Sequence, residues 1–183
     1  MPDITESEHI AGVYVVEPTI HGDQRGLFIE TYRREWIPGA REMIQSNRAN
    51  RQQGALVGLH YHLHQSDYWY IPFGTARVVL HDLREGGPTD GATHCLDLSG
   101  ENHTGVYIPP GVAHGFSALT DMVITYLVDG YYNAADELGV AWDDSAIDAD
   151  WGVTDPILSE RDRQNPTRAD LPANRRPYWP MRT

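Results

Sequence analysis

The stretch Gly54 to Gly74, GALVGLHYHLHQSDYWYIPFG, decides how the rest of the chain is read. His60, His62 and His64 alternate in it with Tyr61 and Leu63, inside a run rich in apolar and aromatic residues. Side chains two apart share one face of a β-strand. The spacing therefore predicts an extended segment with the three imidazoles on one side and Tyr61 and Leu63 on the other. A buried imidazole needs polar partners. Such a face is either a solvated edge or the wall of a polar cavity inside a β-barrel, and the barrel is the sharper reading. Tyr68, Trp69 and Tyr70 follow, and aromatics at strand spacing are expected to pack against a facing sheet.

Outward from this run the chain reads as short strands. GVYVV (12–16), LFIETY (27–32), IQSNRA (44–49), TARVVLHDL (75–83), and segments beginning at Thr93, Gly105, Gly115 and Met122 all carry β-branched or alternating patterns. HGDQRG (21–26) and PPG (109–111) are turns by composition, and REGGPTDG is a loop. Arg33 to Met43 suggests a short helix that Pro38-Gly39 would interrupt. Many short strands at regular spacing are the pattern of a barrel or jelly roll. From Tyr131 the chain turns acidic and irregular, with Asp143 to Asp150 read as a solvated loop. Residues 167–183 are expected to form an arm on the surface or on a partner.

With 183 residues and 40% hydrophobic content, one domain with one real core is expected. The net charge of −12 excludes nucleic acid as a partner, because phosphates would be repelled. A phosphorylated ligand would need a local group of arginines to outweigh that field. Cys95 stands alone, so no intrachain disulfide forms. The first residues lack a signal-peptide pattern, and no apolar stretch approaches the roughly 18 residues of a membrane span. A cytoplasmic protein with no membrane partner is the expectation.

The ordered motifs point further. GDQRGLFIE resembles D-x-R-G-x-F-x-E; IQSN followed by GALVGLHYH is similar to Q-x-N and then G-V-L-R-G-L-H-Y-Q; HDLREGGPTDG is similar to D-L-R-x-x-S-P-T-F-G. LSGEN, YIPPGVAHGF, YYNAADELGVAWDD and LSERD continue the series. Together they resemble the dTDP-4-dehydrorhamnose 3,5-epimerases, homodimeric cupin barrels of deoxysugar biosynthesis, from Gly22 to about Pro166. The resemblance implies an all-β cupin jelly roll with short peripheral helices. It implies an isomerase that moves protons at carbons beside the ketone of a 4-keto-6-deoxy sugar nucleotide or a related enolisable ketone, without a cofactor. His60 would be the base, Asp162 would orient it, and Tyr132 would be the acid, since the base should titrate near neutrality and the acid must hold its proton. Arg25, Phe28, Glu30, Gln45 and Asn47 would bind substrate, with His62, Gln65, Asp67 and His114 lining the pocket. The N-terminal strands would be exchanged between subunits, so that Arg25 serves the neighbour.

Three departures stand out. Val57 replaces the arginine of R-G-L-H, His62 a glutamine, and Asp67 a lysine beside the developing enolate. A carboxylate there opposes the charge it should stabilise. The same changes recreate a metal-binding cupin pattern: His60-Tyr-His62, Asp67, Gly74, then Pro109 to His114. The alternative reading is thus a metal-dependent cupin enzyme holding one divalent transition metal with His60, His62, Asp67 and His114. A third is a family member that has lost epimerase activity and acts on a different metabolite.

Overall fold

The computed structural model describes residues 1–180. Thirteen strands form it: β1 (Asp3–Glu6), β2 (Tyr14–Glu17), β3 (Ile20–Asp23), β4 (Gly26–Ile29), β5 (Gln45–Arg51), β6 (Leu56–Tyr61), β7 (Asp67–Phe73), β8 (Thr75–Asp82), β9 (Thr93–Ser99), β10 (Gly105–Ile108), β11 (Val112–Ala118), β12 (Met122–Val128) and β13 (Leu138–Gly139). One α-helix, α1 (Glu160–Arg163), lies near the C-terminus. Six strands make one antiparallel sheet in the order β1-β2-β10-β7-β12-β5, and five make a second in the order β13-β6-β11-β8-β9. β3 and β4 form a separate two-stranded ribbon. The expected all-β jelly roll is the observed architecture.

The sheets face each other across a core drawn from both: Ile71, Val106 and Ile124 from one, Val78, Leu80, Leu98 and Phe116 from the other. Each sheet is also covered on its outer face. Behind the five-stranded sheet, Leu56, Leu59, Tyr61 and Val79 pack under Val140, Ile147, Trp151 and Leu171 of the irregular C-terminal segment. Behind the six-stranded sheet, Tyr68, Tyr70 and Tyr107 pack against Val16, Trp36 and Ile37. This double covering explains why β8 is buried at nearly every position instead of alternating.

Several local expectations change. The segment around Pro38-Gly39 holds only a 3-10 turn at Arg34–Trp36, because proline and glycine stop it before a helix can form. Ile20–Asp23, which overlaps the stretch read as turn at 21–26, is one arm of the ribbon. The C-terminal arm lies on the surface of its own chain: Glu85 N donates to Pro177 O, Trp179 N donates to Glu85 O, and the Trp179 ring covers the Arg84 guanidinium at 4.9 Å. Its last three positions lie outside the described residues.

One pair of glycines sets the site. Gly58 on β6 has φ 123°, and a Cβ there would sit 2.6 Å from Gly115 Cα on β11. A Cβ on Gly115 would sit 2.7 Å from Val57 O. Only glycines allow this approach. The ladder between the two strands shifts register between His114 and Phe116, and His60 is the register partner of His114. Leu56 and Leu59 consequently share the outer face, three apart, while Val57 and His60 face inward.

Candidate active site

Between the sheets lies a cavity of about 110 Å³ whose wall includes His60, His62, Asp67, His114, Tyr126 and Glu137. β6 and β11 supply His60 and His114 as neighbours across the ladder. β7 supplies Asp67 and Trp69, and β12 supplies Tyr126, the register partner of Trp69. Of the three alternating histidines, two line the cavity. His64 is exposed, because β6 ends at Tyr61 and the chain turns before reaching it. The shared face expected for all three holds for His60 and His62 alone.

His60 and Asp162, 102 residues apart in sequence, are joined by a 2.6 Å hydrogen bond between Nε2 and Oδ1. The α1 capping interaction holds the carboxylate: Ser159 is the N-cap, its Oγ accepts from Asp162 N at 3.1 Å and donates to Asp162 Oδ2 at 2.8 Å. Burial alone would raise the Asp162 carboxyl. The hydrogen bonds from His60 and Ser159, with the His60 and Arg161 charges, outweigh it and hold the pKa below the ordinary carboxylate value. An ionised Asp162 fixes the proton on His60 Nε2 and leaves Nδ1 as the basic atom.

The floor of the cavity is a second cluster. His62 Nδ1 donates to Asp136 O at 2.8 Å, and His114 Nδ1 donates to Val112 O at 3.0 Å. The two rings lie with centroids 5.4 Å apart, and His62 Nε2 is 3.9 Å from Asp67 Oδ1. Asp67 accepts from Gln65 Nε2 at 2.9 Å and from Trp69 Nε1 at 3.0 Å. Trp69 is therefore core and wall at once, with its ring edge-on to His114. Burial, opposed by Asp67 and reinforced by His62, lowers the His114 pKa to about 4. That ring is neutral at pH 7.

The remaining expected site residues are placed elsewhere. Gln45 and Asn47 share the inward face of β5 and bond to each other at 3.0 Å, beyond the cavity wall proper. Arg25 and Phe28 sit on the exposed ribbon, with Arg25 paired to its own Asp23, and Glu30 just beyond it pairs with Arg33; none lines the cavity of its own chain. Tyr132 is 71% exposed and does not face His60 across the cavity, contrary to expectation. It lies on the loop after β12, whose stem at Gly130 lies beside Gln65. The far end of that loop is anchored where the Asp136 carboxylate accepts from Leu63 N and His64 N. His60 also stands outside the metal-competent cluster, which consists of His62, Asp67 and His114.

Sequence reasoning missed Arg51, Tyr126 and Glu137, all of which line the cavity. A signal for Arg51 existed. If Gln45 and Asn47 face inward on a strand, Ala49 and Arg51 do too, but the strand was expected to stop at Ala49. Arg51 returns to the cavity a positive charge that Val57 does not supply. Burial, with the Asp67 and Glu137 charges, raises the Tyr126 phenol against the opposing pull of Arg51, so it keeps its proton.

A jelly-roll cavity lined by an imidazole that a buried carboxylate holds from behind, and by a proton-bearing phenol, is that of a cupin enzyme equipped for acid–base chemistry. The family model for dTDP-4-dehydrorhamnose 3,5-epimerase matches residues 7–170, and the chain belongs to that family, whose members are sugar-nucleotide isomerases. The epimerase of that name from Shigella flexneri is 34% identical over 161 residues, covering 84% of this chain and 89% of the relative. A dTDP-6-deoxy-D-glucose-3,5-epimerase from Legionella pneumophila, solved with dTDP-4-keto-L-rhamnose, superposes with a TM-score of 0.92 at 30% identity, covering 98% of this chain and 99% of that one. A 3'-monoepimerase from Streptomyces bikiniensis, solved with dTDP-quinovose, superposes with a TM-score of 0.88 at 32% identity, covering 96% and 93%.

Proposed function

We propose that the protein epimerises a 4-keto-6-deoxy sugar nucleotide, with His60 taking the proton beside the ketone. The observation that carries this reading is the 2.6 Å bond from His60 to a buried, capped Asp162 at the edge of the cavity. The carboxylate fixes the ring proton on Nε2, so Nδ1 is the atom left free to take one. We assign the return of the proton to Tyr132. Its ring lies outside the cavity in the free chain, so the role requires the loop between Asp129 and Asp136 to fold inward over bound substrate. Tyr126 is the wall residue against which this assignment is tested.

The functional unit in this proposal is a homodimer. The β3–β4 ribbon exposes Ile20, Leu27 and Phe28, at 51%, 60% and 65%. An isolated two-stranded ribbon is marginal in water, so a second copy of the chain is the occupant that fits it. Arg25, 90% exposed at its side chain, would then meet the diphosphate in the partner's cavity. Light scattering should report twice the chain mass.

The test is deuterium incorporation from solvent into a dTDP-4-keto-6-deoxy sugar, read by NMR. His60→Asn should slow exchange about 10²–10⁴-fold, the usual contribution of a positioned base. Tyr132→Phe should allow exchange while blocking inversion, and Tyr126→Phe should leave inversion standing. Undiminished exchange in His60→Asn would overturn the assignment.

A further inference from the structure

We infer that the floor of the cavity is a binding site for one divalent first-row transition metal, held by His62 Nε2, Asp67 and His114 Nε2. The ligand atoms of these three buried side chains lie within 4.8 Å of one another. Metal–ligand bonds near 2.1 Å place ligand atoms about 3.0–3.4 Å apart, so the observed 3.9 Å between His62 and Asp67 closes by less than about 1 Å.

Proximity alone would be weak; the orientation is what carries the inference. Both imidazoles donate Nδ1–H to a backbone carbonyl, Asp136 O for His62 and Val112 O for His114. That fixes the Nε2 lone pair of each toward the cavity, and among the described residues neither Nε2 makes a hydrogen bond. A ligating histidine commonly has its second nitrogen held in this way. Asp67 is held in turn by Gln65 and Trp69, which are neutral donors. No cationic side chain among the described residues is hydrogen-bonded to this buried carboxylate, and a buried charge without a bonded partner is costly unless a cation joins it. Two imidazoles and one carboxylate suit Mn²⁺, Fe²⁺, Co²⁺, Ni²⁺ or Zn²⁺ and leave further coordination positions open to the cavity.

The site also resolves the conflict between Asp67 and the chemistry. A dication beside Asp67 reverses the local charge and offers a Lewis acid to a ketone or enolate oxygen. This consequence rests on the enolisation reading above; the binding site does not.

The probe is Co²⁺, added to the full-length protein after chelator treatment and followed by its d–d absorption, with metal content read by mass spectrometry. Wild type should take up about one equivalent per chain with a rise in Tm. His62→Gln and Asp67→Asn should each lose that equivalent while keeping a folded circular-dichroism spectrum. His60→Asn should retain it, because His60 is engaged with Asp162. No uptake by wild type, or the same uptake in His62→Gln and Asp67→Asn, overturns the site. Full Co²⁺ uptake without deuterium exchange into any ketone overturns the enolisation reading and leaves the site standing.

Discussion

Asp82 and Asp67 are both buried aspartates on the two facing sheets, at 0% and 4% exposure, yet they are treated oppositely. Asp82, at the end of β8, accepts from Arg84 Nε and Nη2 at 2.7 Å each, from Arg84 N at 3.0 Å and from Thr89 Oγ1 at 2.6 Å. Arg84 is nearly as buried and donates onward to Ala11 O. Burial opposes ionisation of Asp82, but these bonds prevail and its pKa is lowered. Asp67 has neutral donors and an imidazole 3.9 Å away. A saturated pair is scaffold, locking the N-terminal loop and the C-terminal arm onto β8. An unsaturated carboxylate facing a cavity is a place where something else binds.

The contrast is broken most severely at Arg84. Arg84→Met leaves Asp82 buried without its counter-charge and should cost about 3–5 kcal/mol in urea unfolding. If it costs no more than a surface ion pair, the scaffold assignment fails.

A second effect comes from His81, the neighbour of Asp82. Its Nδ1 bonds Thr93 Oγ1, while its buried Nε2 has no partner. Burial, helped by the Arg168 charge and opposed by Asp82, Asp144 and Asp90, lowers its pKa to about 4. The unfolded chain binds this proton near pH 6.5 and the folded chain near pH 4, so stability is full above 6.5 and is lost as pH falls toward 4. The loss should approach ~3 kcal/mol. His81→Leu should flatten that part of the pH–stability curve; an unchanged slope would show that other groups carry it.

The smallest effect is the most telling. Asp67→Asn should change metal-free stability by about 1 kcal/mol or less, because one amide oxygen keeps the Trp69 bond and Gln65 can turn its own amide. A loss as large as that of Arg84→Met would make Asp67 scaffold as well.

The sequence was informative where chemistry is local or where motifs recur in order. The all-β jelly roll, the family and the types of residue in the cavity were legible from strand spacing and from HDLR, LHYH, PPGVAH and LSERD. So was the pairing of His60 with Asp162, through the order of motifs and not through periodicity. Periodicity erred at His64, since where β6 ends depends on contacts that Tyr61 and Leu63 make with the segment after β12. It also missed Arg51, whose strand runs two residues further because β12 pairs with it to the end.

By itself the sequence determined which donors and acceptors are available, and that β-strands would carry them. Tertiary structure alone decided how they are divided. The Gly58–Gly115 approach shifts the phase of β6, α1 brings a carboxylate to His60 from 102 residues away, and the Asp136 carbonyl on the loop after β12 aims the lone pair of His62, while Val112 on its own strand aims that of His114. All but the Val112 bond are long-range contacts, and a pattern of period two holds no information about which distant atom will be at the other end.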